Sequence, residues 1–177
     1  MAMGRGSLVT FGLVAVVAAG VGASLLASGV GCEKEQDAAV ATVTLGGRVF
    51  HLELALDEQV RFKGLSGRTH IEPDGGMLFV FPRPQTLQFV MRDCPIPIDI
   101  AFLDGSGRIV AMHEMVPEDP KGASESQAQY ESRLKRYPSR FDAQFVIEVA
   151  AGTLEALGLA EGQQVALDTN GLKRRAR

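Results

Sequence analysis

The chain has only two cysteines among its 177 residues, Cys32 and Cys94. Cys32 directly follows an apolar N-terminal segment, where it would be lipidated or lie at a membrane, so Cys94 has no partner. An internal disulfide is therefore excluded as a source of stability. We expect the fold to depend on an apolar core, for which the roughly 130 residues left for the domain are sufficient.

Motifs of the common enzyme classes are also missing. The chain has no Cys-x-x-Cys pair and its three histidines are scattered, with no two of them four residues apart, so we predict no metal site. It lacks Gly-x-Ser-x-Gly, Gly-x-Gly-x-x-Gly and a phosphate-binding loop, which excludes the usual hydrolase and nucleotide-dependent assignments. No cofactor is predicted.

Basic residues are scarce in the body of the chain. All 21 Asp and Glu residues follow position 31, whereas four of the 18 Lys and Arg residues lie in the last five positions, 173–177. Nucleic-acid binding needs basic surface that neutralises phosphates, so this class of function is disfavoured.

One apolar segment is present at the N-terminus. Residues 8–30 carry no charge, which is typical of a signal sequence or an N-terminal membrane anchor. Cys32, preceded by glycine and followed by a polar stretch, resembles the acceptor of a bacterial lipoprotein. We predict a signal sequence or anchor at 1–31, a linker at 32–40 and an exported, cell-envelope domain with the membrane as its partner. A lipidated, a cleaved soluble and an uncleaved form are all compatible with this pattern.

Residues 75–104 form the apolar centre of the sequence. Three apolar runs, 77–81, 87–91 and 96–103, are separated by proline-containing segments, and they predict consecutive buried strands joined by prolyl turns, as in a β-meander. Glycine-rich turns at 46–47 and 104–107 predict hairpins on either side.

Two short helices are predicted outside this centre. Asp57 and Gly64 bracket a helix at 58–63, and Thr153 begins a second at 154–157. The fold class is mainly β, of the α+β type: a compact, mostly antiparallel, barrel-like sheet with two short helices.

The domain is predicted to cover residues 41–168. Residues 117–142 are polar and contain prolines, which predicts a long loop that is either a functional lid or mobile, with room for a helix at 126–134. Strands are predicted again at 145–149 and 164–167. The basic tail, 169–177, is predicted to be disordered.

A series of short motifs runs in order through this domain. They are Arg61, Gly64-Leu65, Arg68, Gly76-Met77-Leu78-Phe79, Phe81, Phe89, Met91, Ile96-Pro97, Asp99-Ile100, Phe102, Asp104, Gly107, Ile109-Val110, Tyr137, Glu148-Val149, Ala151-Gly152 and Gly158. Together, over residues 41–168, they resemble the family known as domain of unknown function 192. The resemblance implies a compact strand-rich domain, often behind a signal sequence, with no assigned reaction and no catalytic residues to carry over.

The chain departs from that family at the second proline-containing segment and near its end. Where the family commonly has Trp, Lys, Asn and Thr, this chain has Val90, Arg92, Asp93 and Cys94. Where the family often has Gly-Asp, this chain has Gly162-Gln163. If the family's tryptophan lines a ligand surface, that use is lost with Val90.

Charged residues near the second prolyl turn are candidate ligand contacts. Arg61 and Arg68 beside the first helix, with Asp93 and Asp99, predict a charge network at one end of the sheet. Such a network either holds the turn in place or leaves one arginine for a small anionic ligand. Because Asp99 lies in an apolar run, we expect it to pair with one of these arginines or to accept backbone N–H groups of residues 93–97.

The sequence supports two functional classes. The first is an exported, membrane-associated binding or accessory domain, with ligand contacts at Arg61, Arg68, Asp93, Cys94 and Asp99. The alternative is an enzyme with Cys94 as its nucleophile, since a neighbouring arginine would lower the pKa of the thiol while Asp93 would oppose that effect. A free cysteine is more often a small buried hydrophobic residue.

Overall fold

The computed structural model describes residues 39–177, which form one six-stranded sheet with four short helices. The predicted signal sequence and Cys32 lie outside these residues. The elements are β1 (Val40–Leu45), β2 (Arg48–Ala55), α1 (Glu58–Lys63), β3 (Met77–Phe89), β4 (Ile98–Leu103), β5 (Ile109–Met115), α2 (Gln127–Arg133), β6 (Tyr137–Ala150), α3 (Thr153–Ala156) and α4 (Thr169–Arg175). The α+β class is confirmed, with four helices where the sequence predicted two. None of the helices in this part of the chain has the length and apolar character needed to cross a bilayer.

Local turn signals predict the first elements correctly. β1 and β2 form a hairpin on Gly46 and Gly47, which have φ angles of 54° and 82°. Positive φ at both positions is what a two-residue hairpin turn needs, and glycine adopts it without a Cβ clash. α1 begins after Asp57, whose carboxylate accepts a hydrogen bond from the N–H of Val60 at 2.9 Å, and it ends at Gly64.

The predicted β-meander is wrong because β6 lies between β3 and β4. The strand order is β1-β2-β3-β6-β4-β5, and β6 pairs antiparallel with both of its neighbours while β2 and β3 pair in parallel. Residues 143–149 of β6 are buried on both faces of the sheet, as expected for a central strand. Hairpin signals report only local pairing, so they could not predict this long-range insertion.

The first predicted prolyl turn is also absent from the fold. β3 continues through Pro82 and Pro84 as one strand of 13 residues. Its pairing with β6 shifts register between Val80 and Gln85, so the prolines occupy an irregular part of the ladder where no N–H donor is needed. The side-chain amide of Gln144 donates to the carbonyls of residues 81 and 82, at 3.2 and 3.3 Å.

The C-terminal segment differs from both predictions made for it. Residues 164–167 form no strand but make two isolated bridges, Thr44 with Ala166 and Arg108 with Gln164. These bridges connect the segment to β1 and to the start of β5, so the open sheet is barrel-like only loosely. The tail predicted to be disordered instead forms α4, because Asp168 caps its first turn and Leu172 is buried against the core.

The predicted loop 117–142 is shorter and more ordered than expected. α2 occupies its middle, with a reciprocal capping box between Ser126 and Gln129, and β6 already begins at Tyr137. The buried Tyr130 accepts a hydrogen bond from the N–H of Asp93 at 2.9 Å, which attaches α2 to the segment between β3 and β4. This part of the chain is packed onto the domain.

The sheet has an apolar core on each face. Leu154 of α3 and Leu172 of α4 cover one face, which we call the α3 face. The segment after α1, with Leu65 and Ile71, covers the other, which we call the α1 face. Because side chains alternate along a strand, Ile147 of β6 lies on the α3 face while residues 146 and 148 lie on the α1 face.

Candidate functional site

A cleft of about 430 Å³ opens on the α1 face, between α1, β3 and the segment 90–94. We call it the α1 cleft. Its lining is about equally apolar and polar, and two of its aromatic rings, Phe79 and Phe89, pack edge to face with centroids 5.1 Å apart. The apolar side chains that line it are Phe62, Leu65, Phe79, Phe81, Leu87, Phe89, Val90, Met91 and Ile98. A concave surface that combines apolar side chains with convergent polar groups is the usual form of a small-molecule site.

The polar group on the floor of the cleft is the carboxyl group of Glu148. This residue lies in the middle of β6, opposite Met77 of β3 and Ile100 of β4, and only 5% of its surface is exposed. Burial raises its pKa to about 8. At neutral pH the group is therefore mainly a neutral carboxylic acid, with one O–H donor and spare acceptor capacity.

The Glu148 carboxyl group has no hydrogen-bond partner among residues 39–177, and burial is the sole cause of its raised pKa. Every fully enclosed side-chain nitrogen or oxygen in the same residues does have a partner. The Glu148 oxygens are therefore not enclosed, and their remaining accessible surface faces the α1 cleft, which Glu148 lines. Buried polar groups nearly always have a hydrogen-bond partner. Because the Glu148 carboxyl group has none among these residues, it is available to a bound molecule.

The mouth of the cleft is predominantly basic. Arg61, Lys63, Arg92 and Arg136 line it together with a single surface acid, Glu58. Among the described residues, neither Lys63 nor Arg136 has a carboxylate within 4.0 Å. A basic mouth on an apolar cavity attracts anions more than cations.

Arg92 is held by α2 and is not free for a ligand. Its guanidinium makes two hydrogen bonds to the carboxylate of Glu131, one of them at 2.8 Å, and it lies 4.2 Å from the centroid of the Phe62 ring. This hydrogen bonding is the main cause that lowers the pKa of Glu131 and raises that of Arg92. The pair fixes α2 against the mouth of the cleft.

The predicted charge network does not form. Arg61 donates to the carbonyls of Leu56 and Val80, at 2.7 and 2.9 Å, and to the main-chain oxygen of Arg177 at 2.7 Å, so it joins α1 to the sheet and to the C-terminus. Arg68 makes a separate, half-exposed ion pair with Glu53 at 2.6 Å. The two arginines have separate partners, and of the two only Arg61 lines the cleft.

The two predicted aspartates are structural as well. Asp93 has a φ of 50° and its carboxylate accepts a hydrogen bond from the Tyr130 hydroxyl at 3.1 Å. Asp99 is 5% exposed and accepts a hydrogen bond from the backbone N–H of Leu154 at 2.9 Å. The expected pairing of Asp99 with an arginine is wrong. It does accept a backbone N–H, from the first turn of α3 rather than from residues 93–97.

Cys94 lines the cleft but lacks the environment of a nucleophile. Its sulfur is buried, 3.7 Å from the carbonyl oxygen of Ile96, and burial raises the pKa of the thiol, an effect to which Glu148 adds. Thiolates are the reactive form, so this environment disfavours nucleophilic catalysis. In residues 39–177 no three His, Cys, Asp or Glu side chains come together as a metal site requires.

Glu148 is not among the site residues that the sequence predicts. The available signal was a single carboxylate within the apolar run 145–149, which is the same pattern that drew attention to Asp99. Which of the two acids has a protein partner depends on packing between segments far apart in the chain.

Comparison with known proteins agrees with the resemblance seen in the sequence. The family model of domain of unknown function 192, described as "Uncharacterized ACR", matches residues 41–167. A solved structure from Sinorhizobium meliloti 1021, described as a candidate transcription regulator, is 30% identical, with 72% of this chain and 90% of that chain covered and a TM-score of 0.57. A protein of unknown function from Novosphingobium aromaticivorans DSM 12444 is 27% identical, with 76% and 89% covered and a TM-score of 0.64. No curated protein matches this chain.

Proposed function

The chain belongs to the domain of unknown function 192 family, and from the geometry of its α1 cleft we propose that it is a small-molecule binding module. The ligand is a compact molecule with an apolar body, since four phenylalanine rings and several aliphatic side chains line the cleft. The observation that carries the proposal is the buried Glu148 carboxyl group, which opens on the cleft without a protein partner.

Ligand binding explains why such a group is retained in the core. A buried carboxyl group without a hydrogen bond costs folding free energy, which an apolar residue at the same position would avoid. A bound molecule that hydrogen-bonds to it recovers this cost only in the complex. The loss of folding free energy in the free protein is then a property of the binding site.

The second part of the proposal is location. We propose that the binding module is exported and held at the cell-envelope membrane by its N-terminus. The support is the uncharged run of residues 8–30 followed by Cys32.

Binding can be followed with a fluorescent reporter placed in the cleft. The chain contains no tryptophan, so Val90→Trp introduces a single indole on the cleft lining. The full chain is reconstituted in phosphatidylcholine vesicles and titrated with 4-acetylbenzoate, 4-isopropylbenzoate and 4-acetylbenzamide. At least one probe should change the emission saturably, with a dissociation constant of about 1 mM, which corresponds to about −4 kcal/mol.

The control variant is Phe141→Trp, whose parent side chain is 64% exposed and does not line the cleft. It reports partition of the probes into the vesicles and should show no saturable change. If none of the three probes gives a saturable response in Val90→Trp, or if both variants respond alike, the cleft is not a binding site.

Location is tested by fractionating cells that express the full chain. The protein should sediment with membranes, and Cys32→Ser should release it if a lipid on Cys32 is the anchor. Retention of Cys32→Ser in the membrane fraction would contradict lipidation and support an uncleaved helix. A wild-type protein found wholly in the cytosolic fraction would overturn the proposed location.

A further inference from the structure

The floor and the mouth of the α1 cleft favour different chemical groups on a ligand, and together they restrict the class of ligand. This step rests on the proposed binding function. We propose that the ligand is a small carboxylate whose anionic group lies at the basic mouth and whose far end carries a hydrogen-bond acceptor that meets the side chain of Glu148.

The mouth selects the charge of the ligand. Lys63 and Arg136 line it, and neither has a carboxylate within 4.0 Å among residues 39–177. Arg92 is already paired with Glu131, so it contributes little net charge. The remaining surface acid, Glu58, leaves an excess of positive charge, which favours an anion and disfavours an amine.

The floor selects the far end of the ligand. Glu148 is 5% exposed, its strand β6 lies between β3 and β4, and its side chain lines the cleft. As a neutral acid it can donate one O–H, for which a carbonyl or ether oxygen of the ligand is the matching acceptor. A wholly apolar end would leave this donor unsatisfied, which makes the fit worse by the desolvation cost of one polar group.

The titratable groups around the cleft allow the role of Glu148 to be isolated. α1 contributes Glu58, Arg61 and Lys63, the segment after β3 contributes Arg92 and Cys94, and Arg136 precedes β6. Of these, Cys94 is close enough to Glu148 for the carboxyl group to raise the pKa of the thiol further. Variants of Glu148 and Cys94 therefore separate the two titrations.

The three probes used with Val90→Trp test the anionic group and the hydrogen-bond acceptor of the ligand separately. 4-Acetylbenzoate carries both the anion and the acceptor, 4-isopropylbenzoate has similar size without the acceptor, and 4-acetylbenzamide has the acceptor without the anion. 4-Acetylbenzoate should bind about tenfold more tightly than 4-isopropylbenzoate, since one unsatisfied buried donor is worth about that factor. It should bind about two- to fivefold more tightly than 4-acetylbenzamide, which lacks the charge contact at the mouth. Equal binding of the isopropyl probe or of the amide would overturn the inference while leaving the binding function intact.

Dependence on pH and on Glu148 gives an independent readout. Binding of 4-acetylbenzoate should weaken about tenfold for each pH unit above about 8, because the ionised floor loses its donor and repels the ligand. Glu148→Gln keeps a donor that does not titrate, so its binding should be independent of pH in this range. Glu148→Leu should bind the acetyl and isopropyl probes alike. Cys94→Ala should keep the pH dependence of the parent.

The mouth is tested by Lys63→Met. It should weaken binding of 4-acetylbenzoate about two- to fivefold, as expected for an exposed charge contact, and leave 4-acetylbenzamide unchanged. If the parent binds equally at pH 7 and pH 9.5, or if Glu148→Gln titrates as the parent does, Glu148 is not the ligand contact. No response to any probe would instead be failure of the binding function itself.

Discussion

The two faces of the sheet each bury one carboxylic acid, and the two acids behave differently. Asp99 on β4 and Glu148 on β6 are equally enclosed, at 5% exposure. On the α3 face, Asp99 has a partner, the N–H of Leu154. On the α1 face, Glu148 has none among the described residues and opens on a cleft. Burial alone therefore does not distinguish a structural acid from a ligand-binding acid. The presence of a hydrogen-bond partner within the protein does.

The largest expected effect is on the pH dependence of stability at Glu148. Its pKa in the folded chain is raised to about 8, so the folded state keeps a proton that the unfolded state releases above its ordinary pKa. The stability of the parent relative to Glu148→Gln should therefore fall as pH rises from about 4.5 towards 8. The expected loss is about 1.4 kcal/mol per pH unit, or about 3 kcal/mol between pH 5 and pH 7.

This effect is measured by urea unfolding of the full chain and its Glu148→Gln variant in mild detergent at pH 5, 6, 7 and 8. Glu155→Gln is the matched control, since Glu155 is exposed at α3. It measures how removing one exposed carboxylate from the chain affects unfolding at each pH. A constant difference between the parent and Glu148→Gln would show that the Glu148 carboxyl group is ionised or paired in the folded state, and the contrast between the faces would be lost.

The second prediction is that replacing Asp99 destabilises the chain, whereas the Glu148→Gln variant gains stability relative to the parent as pH rises above about 5. Asp99→Ala removes the acceptor for the Leu154 N–H and should destabilise the chain by about 2 kcal/mol, the range for hydrogen bonds to charged groups. Asp99→Asn keeps an acceptor oxygen and should lose less.

Thermal melting tests this prediction. A loss of 2 kcal/mol should lower the melting temperature by about 5–10 °C for a domain of this size. If Asp99→Ala melts at or above the parent temperature, Asp99 is not holding α3. The two acids would then both be candidates for ligand contact.

The sequence predicts features that depend on neighbouring residues. The glycine pair at 46–47, the bracketed helix at 58–63 and the α+β class are all confirmed, because each requires only local backbone preferences or overall composition. The place of β6 and the continuity of β3 through its prolines were missed. Both depend on pairing between segments about 60 residues apart, which no local pattern encodes.

The candidate site was predictable only in part. Cys94 and Arg61 do line the cleft, but Arg68, Asp93 and Asp99 each make a structural contact elsewhere. The residue types showed that a buried Asp99 carboxylate would need a hydrogen-bond partner. They could not show that this partner lies in α3, since that helix is more than 50 residues away in the chain.

The smallest expected effect concerns the elements that cover the α1 face. The Tyr130 hydroxyl accepts the N–H of Asp93 at 2.9 Å and donates to its carboxylate at 3.1 Å, so one hydroxyl ties α2 to the segment beside the cleft. Tyr130→Phe leaves the Asp93 N–H without this partner and should cost about 1 kcal/mol. Local opening should then become about fivefold more frequent, and limited proteolysis within residues 116–136 should accelerate by that factor.

Ser132→Ala is the control on the same helix, because among the described residues its hydroxyl bonds only to the carbonyl of Gln129. Mass spectrometry of the fragments should show unchanged cleavage around α4, which covers the opposite face. Equal acceleration on both faces would mean that Tyr130 supports the whole domain, whereas no acceleration would mean that the hydroxyl does not hold α2 in place.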